Sequence, residues 1–252
     1  GAVARLHLKV DTGLGRGGAT ITAWKEIVLA AVEFEAQGLL ELTGIFSHFS
    51  GTSHEDDRSQ VEVFKGFVAE AEELGASFRL RHIAASYGSL EYPDAGFDMV
   101  RVGIALYGLN PAEDSIAKTV GLVPAMKVTA KVALVKLVAS GQGVSYGYLY
   151  KTNKPTNLVL VPFGYAEGLP RNATGKHSVL LNGKKYLIKA RIAMDQFVLD
   201  VGQDLVSVGD EVVIFGDGSR GEPTAEDLAL AADTINYEIV TRIGGRAKRF
   251  YL

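Results

Sequence analysis

The sequence has no cysteine, which excludes disulfides, thiolate nucleophiles and cysteine-ligated metals from its chemistry. It has no run of 18 apolar residues, so no membrane span is expected, and no basic-then-apolar leader is expected either. It has no strong excess of charge: a net −3 gives no field of one sign to attract nucleic acid or another polyanion. The local basicity around Lys184 and Lys185 fits a solvated hairpin. Internal repeats, low-complexity tracts and long linkers are also missing, and no metal site is expected. What these absences leave is the expectation of a cytoplasmic enzyme or binding protein.

What is present is 252 residues, 47% hydrophobic and 22% charged, enough to bury one large core or two ordinary ones. Up to about residue 120, short apolar runs alternate with helical patterns. Leu6–Asp11 reads as a strand, Ile21–Ala36 as a helix and Leu42–Phe49 as a strand. Glu55–Leu74 reads as a helix, with Val61, Phe64, Val68 and Ala71 at helical spacing and Ser53 and Asp56 at its start. Phe78–Ala84 and Met99–Leu106 read as two further strands. Alternation of this kind predicts parallel βαβ units. Beyond Leu122 the pattern turns β-rich, with strands expected at Met126–Val138, Asn157–Val161, His177–Leu181, Ala190–Leu199 and Glu211–Phe215. Glycine turns such as Asn182-Gly183 and Asp217-Gly218 separate them. One helix, Thr224–Ala232, carries its own cap and two acids in its first turn. The expected fold class is α/β plus β, divided into 1–120 and 121–252.

Gly13-Leu14-Gly15-Arg16-Gly17-Gly18 matches G-x-G-x-x-G between a strand and a helix, as a dinucleotide-binding loop does. Side-chain direction argues against that reading. His7, Lys9 and Asp11 share one face of the first strand, whereas a doubly wound sheet buries apolar residues on both faces. A polar inner face suits a barrel strand. Ser47-His48, Ser86 and Arg101 likewise close later apolar runs, and the carboxyl ends of barrel strands are where TIM-barrel chemistry sits. Only about four βα units precede the β-rich part, and a closed (β/α)8 barrel needs roughly 250 residues. The first part is therefore expected to be the C-terminal part of a TIM-type barrel, with the remaining strands in an N-terminal portion outside this sequence or in another chain.

Eight segments in order, "LKVDTGLGRGG", "FSHFSG", "HIAAS", "DMVRVGIALYGL", "GVSYGYLY", "VPFGYAEGLPR", "RIAMDQFVLD" and "DTINYEIVTRIGGRAKRFYL", resemble bacterial alanine racemase from His7 to Leu252. The resemblance implies a pyridoxal 5'-phosphate enzyme with a barrel and a β domain. It would work as a head-to-tail homodimer with shared active sites and interconvert L- and D-alanine for cell-wall peptidoglycan precursors. The family's Schiff-base lysine lies in a segment resembling "VVKANAYGHG", which this sequence does not contain; activity is expected to require that segment.

The resemblance assigns roles by position. Tyr146 would be the catalytic base given to the partner's site. A free phenol titrates near 10, so it needs cationic or hydrogen-bonding neighbours for that task. Arg101 would face the cofactor's ring nitrogen. An arginine keeps its proton, so the ring would stay neutral and side reactions such as transamination would be suppressed. His82 would orient Arg101, and His48 would lie in the same neighbourhood. Ser86, Gly103, Ile104 and Tyr237 would hold the phosphate. Arg16 would reach the cofactor's phenolic oxygen and the substrate carboxylate, paired with Lys9 where that lysine is carbamylated. Met194, Asp195 and Tyr165 would close the partner's site. Ala85, Ala193, Glu167 and Gly17 depart from the family pattern, of which Ala85 lies next to the cofactor. Two alternatives stay open: a barrel-type pyridoxal-phosphate amino-acid decarboxylase, against which Arg101 and the lack of cysteine argue, and a catalytically incomplete piece that only dimerises or binds.

Overall fold

Alternating apolar and polar residues at the start of the chain form β1, Ala4–Lys9, in a computed structural model that describes residues 3–112 and 120–251. The chain divides into two compact units, Gly1–Leu122 and Val123–Leu252.

In the first unit β1 leads to α1, Ile21–Ala36, then β2, Leu40–Phe46, α2, His54–Glu73, and β3, Leu80–His82. The three strands pair in parallel in the order β1-β2-β3, as successive right-handed crossovers require. Trp24, Val28 and Ala31 on α1 recur at helical spacing and are buried. They share a core with Phe64, Phe67 and Val68 of α2 and with Leu42 and Ile45 of β2. Trp24 also donates its indole N–H to the Phe67 carbonyl at 3.0 Å. Ser53 caps α2, accepting from the Asp56 N–H at 3.0 Å, and three acids in the first turn complement the helix dipole.

The Gly13–Gly18 segment is no phosphate cradle. The Asp11 carboxylate accepts the Gly13 and Gly15 N–H groups at 3.0 and 3.1 Å, so those donors are already used. Gly18 lies at φ +124°, where a Cβ would press on the Val10 backbone at 2.7 Å. These glycines fold the chain back so that Val10 bridges Ala19.

The second unit is built from antiparallel sheets. Strands β4 to β12 are Val128–Lys131, Leu134–Val138, Gly143–Val144, Tyr150–Lys151, Thr156–Val161, Ser178–Leu181, Lys184–Leu187, Phe197–Gly202 and Glu211–Phe215. They form sheets in the orders β10-β9-β12-β4, β11-β8-β5 and β6-β7. The β9–β10 hairpin turns at Asn182 and Gly183, both at positive φ, as a two-residue hairpin demands.

Three expected strands differ. Met99–Leu106 is not a strand: only Arg101 bridges Ala85, because the Ser86 hydroxyl captures the Gly103 and Ala105 N–H groups and the chain coils into a 3-10 turn at Ile104–Tyr107. Met126–Val138 splits in two, since Val132 donates to Asp210 and Ala133 to Leu160, in different sheets. Of Ala190–Leu199 only the end is extended, because the Ala193 and Met194 carbonyls are drawn into a tertiary contact described below. The periodicity also passed over α3, Ser86–Glu91, and α5, Asn236–Arg242, both short. The helix expected at Thr224–Ala232 is α4, Ala225–Ala232, with Thr224 and Asp227 forming a capping box.

Candidate active site

At the carboxyl ends of β2 and β3 the Arg101 guanidinium is half-buried. Its Nη1 donates to His82 Nδ1 at 2.6 Å. Its Nη2 donates to the Ser47 carbonyl at 2.8 Å, His48 Nδ1 at 3.0 Å and the Ile83 carbonyl at 3.2 Å. The Phe46 ring lies beneath it, 5.4 Å from Cζ. Among the described residues no carboxylate meets this guanidinium, so its charge is held by neutral acceptors and a π face. Burial pulls the Arg101 pKa downward. Burial, helped by the Arg101 charge and then by His7, also pushes His82 down to about 4. His48 is lowered by burial first and then by Arg101, Arg16 and Lys9. Lys9 and Arg16 thus bring their charges to the same strand ends, with Lys9 Nζ 5.9 Å from the Phe46 centroid.

Beside this cluster, Ser86 Oγ accepts from Gly103 N at 2.9 Å and Ala105 N at 3.3 Å. The buried hydroxyl can still donate its proton. Among the described residues nothing accepts from the intervening Ile104 N–H. A Cβ built on Gly103 meets nothing within 4 Å. Protein packing therefore does not demand glycine here; open space lies beside free donors, which suits a phosphate. By contrast, Gly88 is required by packing, since a Cβ there would lie 2.5 Å from the Phe49 ring.

The strand-end loops are held from outside by Gln60, a residue that the sequence reading overlooked. It is only 3% exposed. Its Nε2 donates to Thr12 Oγ1 at 3.0 Å and the His48 carbonyl at 3.1 Å, and its Oε1 accepts from Ser50 N at 2.8 Å. Helical spacing marked that face of α2 as apolar, so a buried amide gave no signal there. Gln60→Leu keeps the volume and leaves three groups without their partner; a stability loss of about 2 kcal/mol is expected, read as a lower urea midpoint. A change below about 0.5 kcal/mol would show that solvent substitutes for the amide.

In the second unit Tyr146 is 71% exposed and begins a short 3-10 turn, Tyr146–Tyr148. Ser145, just before it, has φ 57° and ψ −173°, a region nearly confined to glycine and strained for serine by about 1–3 kcal/mol. Ser145 Oγ donates to the Arg191 carbonyl at 2.7 Å, which holds this conformation. The Arg191 guanidinium lies 3.7 Å from where a Gly147 Cβ would be, so a permanent cation stands next to the Tyr146 turn.

Tyr165 and Ala166 grip the segment bearing Met194 and Asp195. Tyr165 N donates to the Ala193 carbonyl at 3.1 Å and Ala166 N to the Met194 carbonyl at 2.9 Å. Glu167, buried, accepts from Gly164 N at 2.8 Å and Arg246 Nε at 2.7 Å. Burial opposes its charge, but Arg246 and the Gly164 N–H outweigh it and hold the carboxyl below its ordinary pKa. Arg246 also donates to the Asp195 carbonyl at 3.1 Å. Met194 and Asp195 are exposed at the tip. Tyr165 lines a cleft of about 450 Å³ with Arg171 and Arg242. Tyr237, on α5, is half-buried, and burial raises its pKa.

Three histidines, His48, His82 and His177, have pKa values lowered first by burial. The unfolded chain protonates them near 6.5 while the fold keeps them neutral, so stability declines as pH falls below about 6.5. For His82 the decline continues to about 4. Urea midpoints are expected to drop between pH 7.5 and 5; equal midpoints would contradict neutral burial.

Comparison with known proteins covers the whole chain. Residues 1–111 match the family model described as "Alanine racemase, N-terminal domain", and residues 125–251 the one described as "Alanine racemase, C-terminal domain". The chain is 46% identical to the alanine racemase of Frankia casuarinae and 50% identical to that of Streptomyces coelicolor, in each case over 100% of its own length and over 67% and 66% of theirs. The crystal structure of alanine racemase from D-cycloserine-producing Streptomyces lavendulae superposes with a TM-score of 0.96 at 51% identity, covering 99% of this chain and 66% of that one. The chain thus spans about two thirds of the length of the relatives it matches.

Proposed function

Because this chain belongs to the alanine racemase family, whose cofactor is pyridoxal 5'-phosphate, we propose that it contributes cofactor-holding and site-closing parts to a racemase interconverting L- and D-alanine in the cytoplasm. The observation that carries this reading is the Arg101 cluster. A guanidinium at the barrel strand ends meets two histidine rings and two carbonyls, with no carboxylate among the described residues. Such a group donates to a pyridine nitrogen and keeps its proton. A barrel-type decarboxylase would need an acid there.

When bound, pyridoxal phosphate delocalises the negative charge left at the α-carbon. Ser86 and Ile104 offer a hydroxyl and a backbone N–H to its phosphate, and Gly103 leaves it open space. Arg16 offers its fork to the substrate carboxylate, and Lys9 braces Arg16 where that lysine is carbamylated. Tyr146 Oη takes or returns the α-proton on one face, in the site of a second copy in a homodimer. Met194, Asp195 and Tyr165 close that same neighbouring site. The opposite face needs the family's lysine, whose segment these 252 residues do not contain, so racemisation requires chain beyond this sequence.

The test is α-proton exchange and enantiomer conversion in deuterated water, using the cofactor-loaded enzyme that joins this chain to its lysine-bearing segment. Conversion of alanine in both directions is expected. Carbon dioxide release without enantiomer conversion would overturn the reading in favour of a decarboxylase.

A further inference from the structure

Arg101 does not act on His82 alone. His82 Nε2 lies 2.8 Å from His7 Nδ1. An arginine can only donate, so the 2.6 Å contact from Arg101 Nη1 makes His82 Nδ1 an acceptor and leaves the His82 proton on Nε2. That N–H then donates to His7 Nδ1, which must be unprotonated. The relay runs from Arg101 through His82 on β3 to His7 on β1 and needs both of its ends: Arg101 takes the lone pair on His82 Nδ1, His7 takes the proton on Nε2, and both rings have to be neutral for it to hold. A proton on His7 Nδ1 would bring two N–H groups head to head.

The fold makes room for this contact. The β1–β2 register shifts between Leu6 and His7, which brings His7 opposite Gly44; a bulge is a common device for re-aiming one side chain. A Cβ on Gly44 would lie 2.7 Å from the His7 ring and 2.6 Å from the Leu80 carbonyl, so only glycine admits the ring. Phe46 stacks on His82 at 5.1 Å and 9° and meets His7 edge-on, fixing both ring planes.

We propose that His7 is a positioning residue: by accepting from His82 Nε2 it locks His82 in the tautomer that presents a lone pair to Arg101, and so sets how the guanidinium faces the cofactor's ring nitrogen. Only the last clause rests on the function proposed above. The relay itself is read on the protein without cofactor or substrate, by nitrogen-15 NMR of labelled histidine. Wild type is expected to show His82 as a single tautomer, protonated on Nε2. His7→Phe keeps an aromatic ring and removes the acceptor; the single-tautomer pattern of His82 is expected to be lost. His7→Asn returns an acceptor near the Nδ1 position and is expected to restore it, a rescue that mere space filling would not give. A wild-type His82 protonated on Nδ1, or charged at pH 7.5, overturns the proposal whether or not the variants fold. An identical His82 pattern in wild type and His7→Phe overturns it too. The expected pattern in an enzyme that fails to racemise alanine supports the relay and counts against the function.

Discussion

In the cofactor-loaded enzyme that joins this chain to its lysine-bearing segment, Tyr146→Phe is expected to lower alanine racemisation by about 10²–10⁴-fold, the usual worth of a positioned proton-transfer group, while leaving stability within about 0.5 kcal/mol. The two halves of that expectation have separate causes. The phenol is exposed within its own unit, so removing its oxygen takes no buried partner from the fold. The backbone that presents it is held elsewhere, by Ser145 in its strained conformation and by the bond from Ser145 Oγ to the Arg191 carbonyl. The phenylalanine ring therefore keeps its place and only the proton carrier is lost. Racemisation needs a base on each face of the α-carbon. With one removed, the enantiomer served by the remaining base still exchanges its α-proton with deuterated water, but conversion to its mirror image collapses. A fall in conversion of less than about threefold, against the expectation for general acid–base catalysis, would exclude Tyr146 as the second base.

Gly164→Ala costs about 3 kcal/mol, at the upper end for inserting a methyl group into a packed site. Its Cβ would lie 2.3 Å from both the Ala193 and Met194 carbonyl oxygens. Those atoms are backbone and cannot rotate aside. Each also accepts a hydrogen bond from the residues following Gly164, so the methyl group must lever the turn off the loop and break both. The Met194–Asp195 tip loses its support at the same time. Urea denaturation measures the loss, and a cost below about 1 kcal/mol would mean that the loop yields cheaply. Gly103→Ala is the contrasting case: its Cβ meets open space, so the fold tolerates it, and on the function proposed above the effect is expected to fall on cofactor affinity.

Much of this site was legible along the chain. His48, Ser86 and Arg101 each close an apolar run, which pointed to the carboxyl ends of barrel strands, while His82 came only from the family resemblance; the structure brings His82 and His48 into hydrogen-bond reach of Arg101 and bonds Ser86 to the Gly103 N–H beside them. Other parts left no local trace. The strand expected at Met99–Leu106 has the apolar content of one, but the Ser86 hydroxyl captures two of its N–H groups and coils it. Gln60 and His7 act through partners 48 and 75 residues away in the chain.

The sequence by itself determined the α/β-then-β order, the helix of Ile21–Ala36 with its buried face, the caps at Ser53 and Thr224, and the hairpin at Asn182-Gly183. Each depends on residues a few positions apart, whose propensities and spacing act before the chain is folded. Only the tertiary structure decided which way protons point through Arg101, His82 and His7, why Gly44 and Gly164 are bare, and why Gly103 borders open space. Those outcomes come from atoms that meet only when distant segments close on one another, where distances of a few ångströms select the donor, the tautomer and the residue that fits.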